Sequence, residues 1–291
     1  MATLTSHHLS TIVRPMAEAD TQAVLRLMET ARYTHLRISM SSLSAKIKAS
    51  PGFVAEDQVG LRGFMLTESH PPDTALIIAA AVRDTWSVPP YLDSLLPAIE
   101  PAVAARGCST LTCIGYDAWL TEGLWAQDFE TCEWIVYFER LGDWPKPVAA
   151  MPAMVRTAHL NDLPAIMALD QLAFNQLWRK SAGIFSEALA KAISFVVAEL
   201  DGQIVGYEWC EIYRHHAHLA RLAVHPNYQG RGIGAQLLYQ AIIDTVSRGV
   251  NLITLNTQED NHRSHALYKR FGFVQTEQRI PVLCKNVIRD T

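Results

Sequence analysis

The feature that most constrains this chain is an internal repeat: the sequence resembles itself when it is shifted by 142 positions. The matching segments keep one register over more than a hundred residues, with a slip of one position in the middle. They are Val13-Arg14 with Val155-Arg156, Asp20 with Asp162, Val54-Ala55-Glu56 with Val197-Ala198-Glu199, Gly63-Phe64 with Gly206-Tyr207, residues 75–82 with residues 217–224, and Arg106-Gly107 with Arg248-Gly249. We interpret the repeat as an old duplication of one domain type.

The boundary between the two copies is marked by prolines. Trp144-Pro145-Lys146-Pro147 and Met151-Pro152 interrupt any periodic pattern, as is typical of a linker. The length of 291 residues fits two domains, and 49% hydrophobic against 19% charged residues indicates globular folding. We therefore predict one domain over residues 10–143 and a second over residues 153–291.

Each copy alternates short strands with helices. In the second copy, Asp201-Gly202 is a turn between two strands, and a helix over residues 232–248 ends at Gly249. A strand over residues 252–256 and a helix over residues 263–270 follow. This order predicts the α/β class: two tandem domains, each a mixed, mostly antiparallel sheet flanked by helices.

A glycine-rich segment carries the clearest chemical signal. After a strand that ends at Val224, the residues Gln229-Gly230-Arg231-Gly232-Ile233-Gly234 open a helix. Free backbone N–H groups and the helix dipole favour an anion there, and glycine lets the backbone approach it closely. With the cation Arg231 beside it, the segment predicts a pyrophosphate site. The alternative is an ordinary tight turn whose glycines serve packing.

Two motifs in this region resemble the GNAT acetyltransferase superfamily. Gln229, Gly232 and Gly234 fill its coenzyme-loop pattern, Gln/Arg-x-x-Gly-x-Gly/Ala at the start of a helix. Further along, Asn261 and residues 267–273 (LYKRFGF) resemble its Asn-x6-Tyr and Leu-Tyr-x-x-x-Gly-Phe features. The resemblance covers residues 153–280, and the repeat extends the expected fold to the first copy.

The resemblance implies an acetyl-coenzyme A site in the second copy. Pantetheine would lie in a V-shaped opening between the strand that ends at Val224 and the strand that ends near Asn256. The backbone of Leu222 and Val224 would pair with it, and Asn261 would hold its arm. The residues expected to bind the coenzyme are Leu222, Ala223, Val224, Gln229, Gly230, Arg231, Gly232, Ile233, Gly234 and Asn261.

The family's reaction is the direct attack of a neutral amine on the thioester. The Val224 N–H is the expected donor to the thioester oxygen, and Tyr268 the expected acid for the leaving thiolate. For the base, Glu208, Glu211 and His218 are candidates; the favoured alternative for each is a surface or hydrogen-bonding group, with water relaying the proton. A glutamate serves one branch, the ribosomal-protein and protein N-terminal acetyltransferases, but Asn256 stands in its place here.

The first copy lacks the coenzyme loop. In the same register, residues 229–234 correspond to Ser87-Val88-Pro89-Pro90-Tyr91-Leu92, which contain no glycine and two prolines without N–H groups. The tyrosine region reads Leu124-Trp125, with no phenol. We therefore predict that the first domain keeps the fold, binds no coenzyme and has a structural role.

Several weaker patterns leave alternatives open. His215, His216 and His218, or His262 and His265, could bind a metal, but we expect none, because these histidines sit in a turn, a strand and a helix without a ligand spacing. Phe174 and Trp178 follow the first helix of the second domain, where they could line an acceptor pocket or pack in the core. The sequence does not identify the acceptor, which is a small amine or a peptide N-terminus. An acyl group longer than acetyl is possible.

The overall composition indicates which binding partners and which cellular compartment to expect. A net charge of -4 argues against nucleic acid, and the longest apolar stretch, residues 75–82, is too short to cross a membrane. Residues 1–10 contain no apolar core for a secretory signal. Five cysteines without a Cys-x-x-Cys pair predict reduced thiols in a cytoplasmic protein, as a monomer or homodimer. The leading hypothesis is an N-acetyltransferase; the alternative is a non-catalytic acyl-CoA-binding sensor or scaffold.

Overall fold

The computed structural model describes residues 11–70, 74–84, 86–142, 144–148, 151–213 and 215–287. The chain forms two compact units: Met1–Glu133 with Ile280–Thr291, and Trp134–Arg279. Residues 134–142 were expected in the first domain but belong to the second unit, and residues 280–287, expected in the second domain, belong to the first. The expectation for residues 1–10 falls outside the described residues.

The first unit is a mostly antiparallel sheet with helices. Its strands are β1 (Ile12–Pro15), β2 (Tyr33–Leu36), β3 (Gly52–Asp57), β4 (Gly60–His70), β5 (Thr74–Val82), β6 (Thr110–Ile114) and the start of β7 (Glu130–Leu141). Its helices are α1 (Thr21–Thr30), α2 (Met40–Ala49), α3 (Val88–Ala104) and α4 (Ala118–Trp125). Strands β1, β3, β4, β5 and β6 are neighbours in that order, and Val282–Asn286 pair antiparallel with β6.

The second unit repeats this plan. Its own strands are β8 (Met154–Thr157), β9 (Ser194–Leu200), β10 (Gln203–Tyr213), β11 (His216–Val224), β12 (Leu252–Gln258) and the first residues of β13 (Val274–Asn286). Its helices are α5 (Leu163–Ala173), α6 (Ala182–Lys191), α7 (Ile233–Val246) and α8 (His262–Arg270). The end of β7, Ile135–Leu141, pairs antiparallel with β12, so the strand that follows α4 completes the second unit.

Both units carry the same ion network, which supports the duplication. Arg14 binds Asp20 at 2.8 Å and Glu56 at 2.9 Å. In the second unit Arg156 binds Asp162 at 2.8 Å and Glu199 at 3.0 Å. In each copy the guanidinium lowers the pKa of the aspartate. The predicted class, a mixed and mostly antiparallel sheet flanked by helices, is confirmed.

The core of the second unit has two layers around its sheet. Phe185 of α6 packs on Tyr207 and Trp209 of β10 on one face. On the opposite face, Leu237 and Leu238 of α7 are fully buried. Apolar residues on both faces of β10 and β11 explain why these strands are the centre of the unit.

The prediction of reduced cysteines is wrong for one pair. Cys132 and Cys284 form a disulfide within the first unit, with Cα atoms 5.9 Å apart, while Cys108, Cys113 and Cys210 are free and buried. The two partners are 152 residues apart in sequence, so no local spacing could reveal them. Disulfides are uncommon in the cytoplasm, so this pair argues against the predicted compartment. In the described part of the chain, no helix is long and apolar enough to cross a membrane.

Candidate functional site

The second unit contains an opening between two parallel strands. Among the described residues, β11 and β12 pair only through Ala217 with Ile253 and His218 with Thr254. Beyond this vertex, residues 219–224 of β11 pair with β10 alone. One edge of β11 is therefore left without a strand partner, where the V-shaped opening was predicted.

The backbone along this edge alternates in direction. His225 N–H donates to the Val205 carbonyl of the neighbouring strand at 2.9 Å. The Ala223 carbonyl also points toward β10. By strand alternation, the N–H groups of Leu222 and Val224 point into the opening. The Val224 carbonyl accepts a hydrogen bond from Gln229 Nε2 at 3.1 Å. Ala223 can thus line the opening with its methyl group, but its backbone faces away.

The glycine loop has the geometry of an anion site. Gly230 and Gly232 have φ angles of 81° and 90°, which favour glycine, and Gly232 is the N-cap of α7. No side chain caps this helix, so the N–H groups of its first turn are directed outward. A Cβ at Gly234 would lie 3.6 Å from both Leu267 and Val224, so a longer side chain there would extend into the opening.

Two arginines lie at the loop, and only Arg231 was predicted from the sequence. Arg231 is exposed, and its guanidinium lies 5.0 Å from the Tyr228 ring centroid. Arg263 of α8, which was not singled out, donates to Gln229 Oε1 at 2.5 Å and lies beside Gly230. Its position two residues after Asn261 was the available signal, because the first turn of a helix that borders an opening can reach into it.

These groups line one cavity of about 620 Å³. Of the ten predicted coenzyme residues, the structure places nine around it; Arg231 lies outside the lining. The other residues around it include Ala173, Phe174, Tyr228, Arg263, Ser264, Leu267 and Arg270. Asn261 also caps α8, since its Oδ1 accepts from Ser264 N–H at 3.2 Å and its Nδ2 donates to Thr257 at 3.1 Å.

The predicted acid, Tyr268, lies in the core next to this cavity. It packs among Phe138, Phe273 and Leu219, and its neighbours Ser264 and Leu267 line the cavity while Tyr268 does not. Burial raises the pKa of Tyr268 to about 12. The phenol therefore keeps its proton at neutral pH and is suited to donating a hydrogen bond.

Glu208, a candidate base, is not brought to the opening. It is fully buried on the α7 side of β10, where Ser194 Oγ lies 2.6 Å from Glu208 Oε1 and 2.7 Å from Asp244 Oδ2. One hydroxyl has a single proton, so it cannot donate to two carboxylates. A neutral Glu208 that donates to Ser194, which donates to Asp244, satisfies both contacts. Consistently, burial raises the pKa of Glu208 to about 8.

His218, another candidate base, lies at the vertex of the opening. Its Nδ1 is 2.9 Å from Thr254 Oγ1, and Asn256 is a further hydrogen-bonding neighbour. Burial lowers the pKa of His218, so the ring is neutral at neutral pH. Glu211 is its cross-strand neighbour on β10. A neutral imidazole at this point can accept a proton.

The wall formed by the end of α5 contains an ion network that sequence reasoning missed. Asp170 is almost fully buried and accepts from Tyr207 Oη and from Arg221, whose Nη2 lies 2.6 Å away. Arg221 also stacks on Phe174 at 3.4 Å and donates to the Trp178 carbonyl at 2.8 Å. Phe174 lines the cavity, whereas Trp178 is tied to the network through its backbone.

The two histidine groups show no metal geometry. Across the described residues, no group of three or more histidine, cysteine, aspartate or glutamate side chains could hold an ion. His265 Nε2 contacts the Gln258 carbonyl at 2.9 Å, and His216 stacks on Tyr213.

The first unit fills the corresponding edge with its own chain. Strand β2 pairs antiparallel with β5 through Tyr33–Leu36 and Ala79–Val82. Shifted by 142 positions, Ala79–Val82 are Arg221–Val224, the edge that borders the opening in the second unit. Where the second unit has its glycine loop, Pro89 and Pro90 begin α3, and Tyr91 and Leu92 are fully buried. Among the described residues of the first unit, this edge is therefore not left free for a ligand.

Comparisons with known proteins agree with this geometry. Residues 163–273 match the model of the acetyltransferase (GNAT) family, which includes the β11 edge, the glycine loop and α8. The second unit thus carries the match to the GNAT acetyltransferase family. A candidate [ribosomal protein bS18]-alanine N-acetyltransferase of Bacillus subtilis is 27% identical over 121 residues, which are 41% of this chain and 80% of that protein. A mycothiol acetyltransferase of Clavibacter michiganensis is 25% identical over 46% of this chain, which spans about half of that relative's length (45%).

Solved structures extend the fold to both units. A GCN5-related N-acetyltransferase from Sphaerobacter thermophilus has a TM-score of 0.62 at 15% identity and covers 97% of each chain. A tandem GNAT protein from the clavulanic acid biosynthesis pathway has a TM-score of 0.61 at 16% identity, over 97% of this chain and all of that one. Both units thus share the fold of tandem GNAT proteins, and residues 163–273 carry the match to the acetyltransferase family.

Proposed function

We propose that the second unit binds acetyl-coenzyme A and transfers its acetyl group to a primary amine by direct attack, and that the first unit binds no coenzyme. The observation that carries this proposal is the contrast between the two copies. The same strand edge is covered by β2 in the first unit and borders a cavity with an anion-binding helix terminus in the second. An extended segment with its own amide groups and a pyrophosphate is the chemistry that this edge and loop would accept.

The residues around the cavity fit such a ligand in two parts. The N–H groups of Leu222 and Val224 would bind the pantetheine amides, as the backbone of β2 does at the equivalent residues of the first unit. The first turn of α7, with Arg263 at the loop, would bind the pyrophosphate. Asn261 is already hydrogen-bonded, so we assign it the shaping of the cavity wall through Thr257 and α8.

The proposed chemistry uses two groups of this chain. The coenzyme supplies an activated acyl carbon when bound. His218 takes a proton from the amine as the new C–N bond forms, because the lowered pKa keeps this ring neutral. As the C–S bond breaks, Tyr268, whose hydroxyl lies at Ser264 of the cavity wall, donates a hydrogen bond to the sulfur; with a pKa of about 12 it holds its proton more firmly than a thiol near 8.5. The thiolate is therefore stabilised in place rather than fully protonated by Tyr268.

The first experiment is coenzyme binding by calorimetry, with Gly234→Leu as the variant and Gly183→Leu as its control. Both glycines are the second residue of a helix in the same unit, but only Gly234 lines the cavity. We expect one acetyl-CoA per wild-type chain, a Kd raised at least about 100-fold by Gly234→Leu, and no change with Gly183→Leu. Two coenzymes per chain, or equal affinity in both variants, would contradict the proposal.

The non-catalytic alternative makes a different prediction. A sensor or scaffold would bind acetyl-CoA through the same loop but would release no thiol when amines are added. Thiol release that depends on an amine, and that falls with Tyr268→Phe while the coenzyme Kd stays constant, supports the enzyme. We keep a small amine or a peptide N-terminus as the acceptor, with no metal, nucleic acid or membrane, and a monomer or homodimer.

A further inference from the structure

We propose that Glu211 binds the ammonium group of the acceptor, and that the acceptor is a primary amine whose neighbouring carbon carries no carboxylate. This inference rests on the proposed function, because it places the acceptor at the vertex where β11 and β12 diverge. The carboxylate of Glu211 and the ring of His218 are cross-strand neighbours there. Side chains in such a pair are about 5 Å apart at their Cβ atoms, close enough to contact one amine.

The Glu211 carboxylate is held in place by two neutral donors. Trp209 Nε1–H donates to Oε1 at 3.2 Å, and the Tyr213 hydroxyl donates to Oε2. Trp209 is buried and packs against Phe185 and Phe195. Its indole is therefore rigid and holds the Glu211 carboxylate in one position. Each carboxylate oxygen accepts about two hydrogen bonds. One position on each oxygen therefore remains for an incoming N–H group.

No cation of the described residues forms a salt bridge with Glu211. Lys191 of α6 has a raised pKa that reflects mainly Glu187, its partner at 2.6 Å, and only to a small extent Glu211. Lys191 and Glu187 pair with each other, so among the described residues the carboxylate of Glu211 has neutral hydrogen-bond donors and no salt bridge. An ammonium ion would be attracted to it, and a second carboxylate would be repelled.

The position of Glu211 allows one residue to bind the amine and a second residue, His218, to take its proton. Glu211 is half-buried and Tyr213 is exposed, so an amine can reach the carboxylate from solvent. Beside it, the ring of His218 contacts Thr254 through Nδ1 and has Asn256 as a further hydrogen-bonding neighbour, so it is held next to the carboxylate. The aromatic rings of Tyr213 and His216, with centroids 6.0 Å apart, form a side wall for the carbon chain of the amine. Glu211 is thus a binding residue, and His218 is the proton acceptor.

The class of acceptor follows from this charge. Alaninamide and a peptide N-terminus present an ammonium group with no adjacent carboxylate, and they are expected to bind. Free alanine has the same size and the same ammonium group, but its carboxylate would face Glu211. The pair alaninamide and alanine therefore tests the inference with one functional group changed.

The experiment is an NMR titration of the full chain that follows the Trp209 indole N–H signal, assigned with Trp209→Phe. We expect alaninamide to shift this signal in a saturable way and alanine to bind at least about 10-fold more weakly. Glu211→Gln should abolish the shift caused by alaninamide, whereas Glu187→Gln, which removes the same charge from a neighbouring exposed site, should preserve it. With an amine that is acetylated, Glu211→Gln should raise KM about 10- to 100-fold and change kcat less than about 3-fold.

The controls separate this inference from the proposed function. Calorimetry with acetyl-CoA shows whether Glu211→Gln is folded and keeps its coenzyme site. If wild type binds no acetyl-CoA, the proposed function fails even when alaninamide shifts the Trp209 signal. If acetyl-CoA binds but alaninamide causes no shift, or alanine binds equally well, or Glu211→Gln binds alaninamide like wild type, the assignment of Glu211 is wrong.

Discussion

Replacement of Glu208 by glutamine should make the protein more stable at alkaline pH without stopping catalysis. Glu208 lies in a buried chain of hydrogen bonds with Ser194 and Asp244, and its Oε2 has no hydrogen-bond partner among the described residues. A neutral Glu208 completes this row of hydrogen bonds. Its ionisation would leave a buried negative charge next to the carboxylate of Asp244. Glutamine has the shape of the neutral acid and can still donate to Ser194.

The expected magnitude follows from the pKa. Burial raises the pKa of Glu208 from 4.5 to about 8. The folded protein therefore binds more protons than the unfolded chain between these two values, so the contribution of Glu208 to stability is fully present below pH 4.5 and is lost as the pH rises toward 8. Each pKa unit corresponds to about 1.4 kcal/mol, which gives a loss of roughly 3 to 4 kcal/mol between about pH 5 and pH 8 from this one group. In Glu208→Gln this loss should disappear.

The assay is urea unfolding at several pH values, followed by tryptophan fluorescence of the second unit. We expect the difference in unfolding free energy between Glu208→Gln and wild type to increase with pH by about 1.4 kcal/mol per unit from about pH 5 to pH 8. Glu187→Gln, at an exposed carboxylate of the same unit, should show no such slope. A pH-independent difference would refute the buried neutral acid. If Glu208→Gln instead slowed turnover by about 100-fold or more, Glu208 would be the base.

Three further predictions test the site and its support. Tyr268→Phe should lower kcat roughly 100-fold with an unchanged acetyl-CoA Kd, as measured by thiol release and calorimetry. The lowered pKa of His218 places the acid limb of kcat/KM below pH 6.5, and His218→Gln should remove that limb from the pH profile. Asp170→Asn should cost about 3–5 kcal/mol in urea unfolding, because it leaves Arg221 buried without its counter-ion.

Each of these predictions has its own contradicting result. Turnover by Tyr268→Phe within about 3-fold of wild type would remove the phenol from the reaction. An acid limb that persists in His218→Gln would assign it to another group, of which Glu211 and His216 face the same ring. A cost below about 1 kcal/mol in Asp170→Asn would show that Arg221 finds other partners, such as the Trp178 carbonyl, and needs no counter-ion.

The repeat and the glycine loop could be predicted because both are visible in the order of residues alone. Gly232 is at a φ of 90° that few other residues adopt, and this requirement shows directly in the sequence. The pairing of the end of β7 with β12, and of the end of β13 with β6, could not be predicted, since each strand follows the last helix of its own copy. The same limit applies to the disulfide between Cys132 and Cys284 and to the burial of Glu208. Each depends on which strands become neighbours, not on spacing along the chain.

Strand β2 explains why the first copy could lose its loop. Once Tyr33–Leu36 pair with Ala79–Val82, the open edge of β5 is satisfied by backbone hydrogen bonds of the chain itself. No N–H group is then needed at the start of α3, and proline is favourable in the first turn of a helix because its missing N–H has no partner there in any case. The large side chains of Tyr91 and Leu92 can fill the space instead, and the Tyr91 hydroxyl donates to the Phe64 carbonyl at 2.7 Å. The glycines of the second copy, which weaken a helix start without a ligand, are consistent with the opposite state, an edge kept open for a bound molecule.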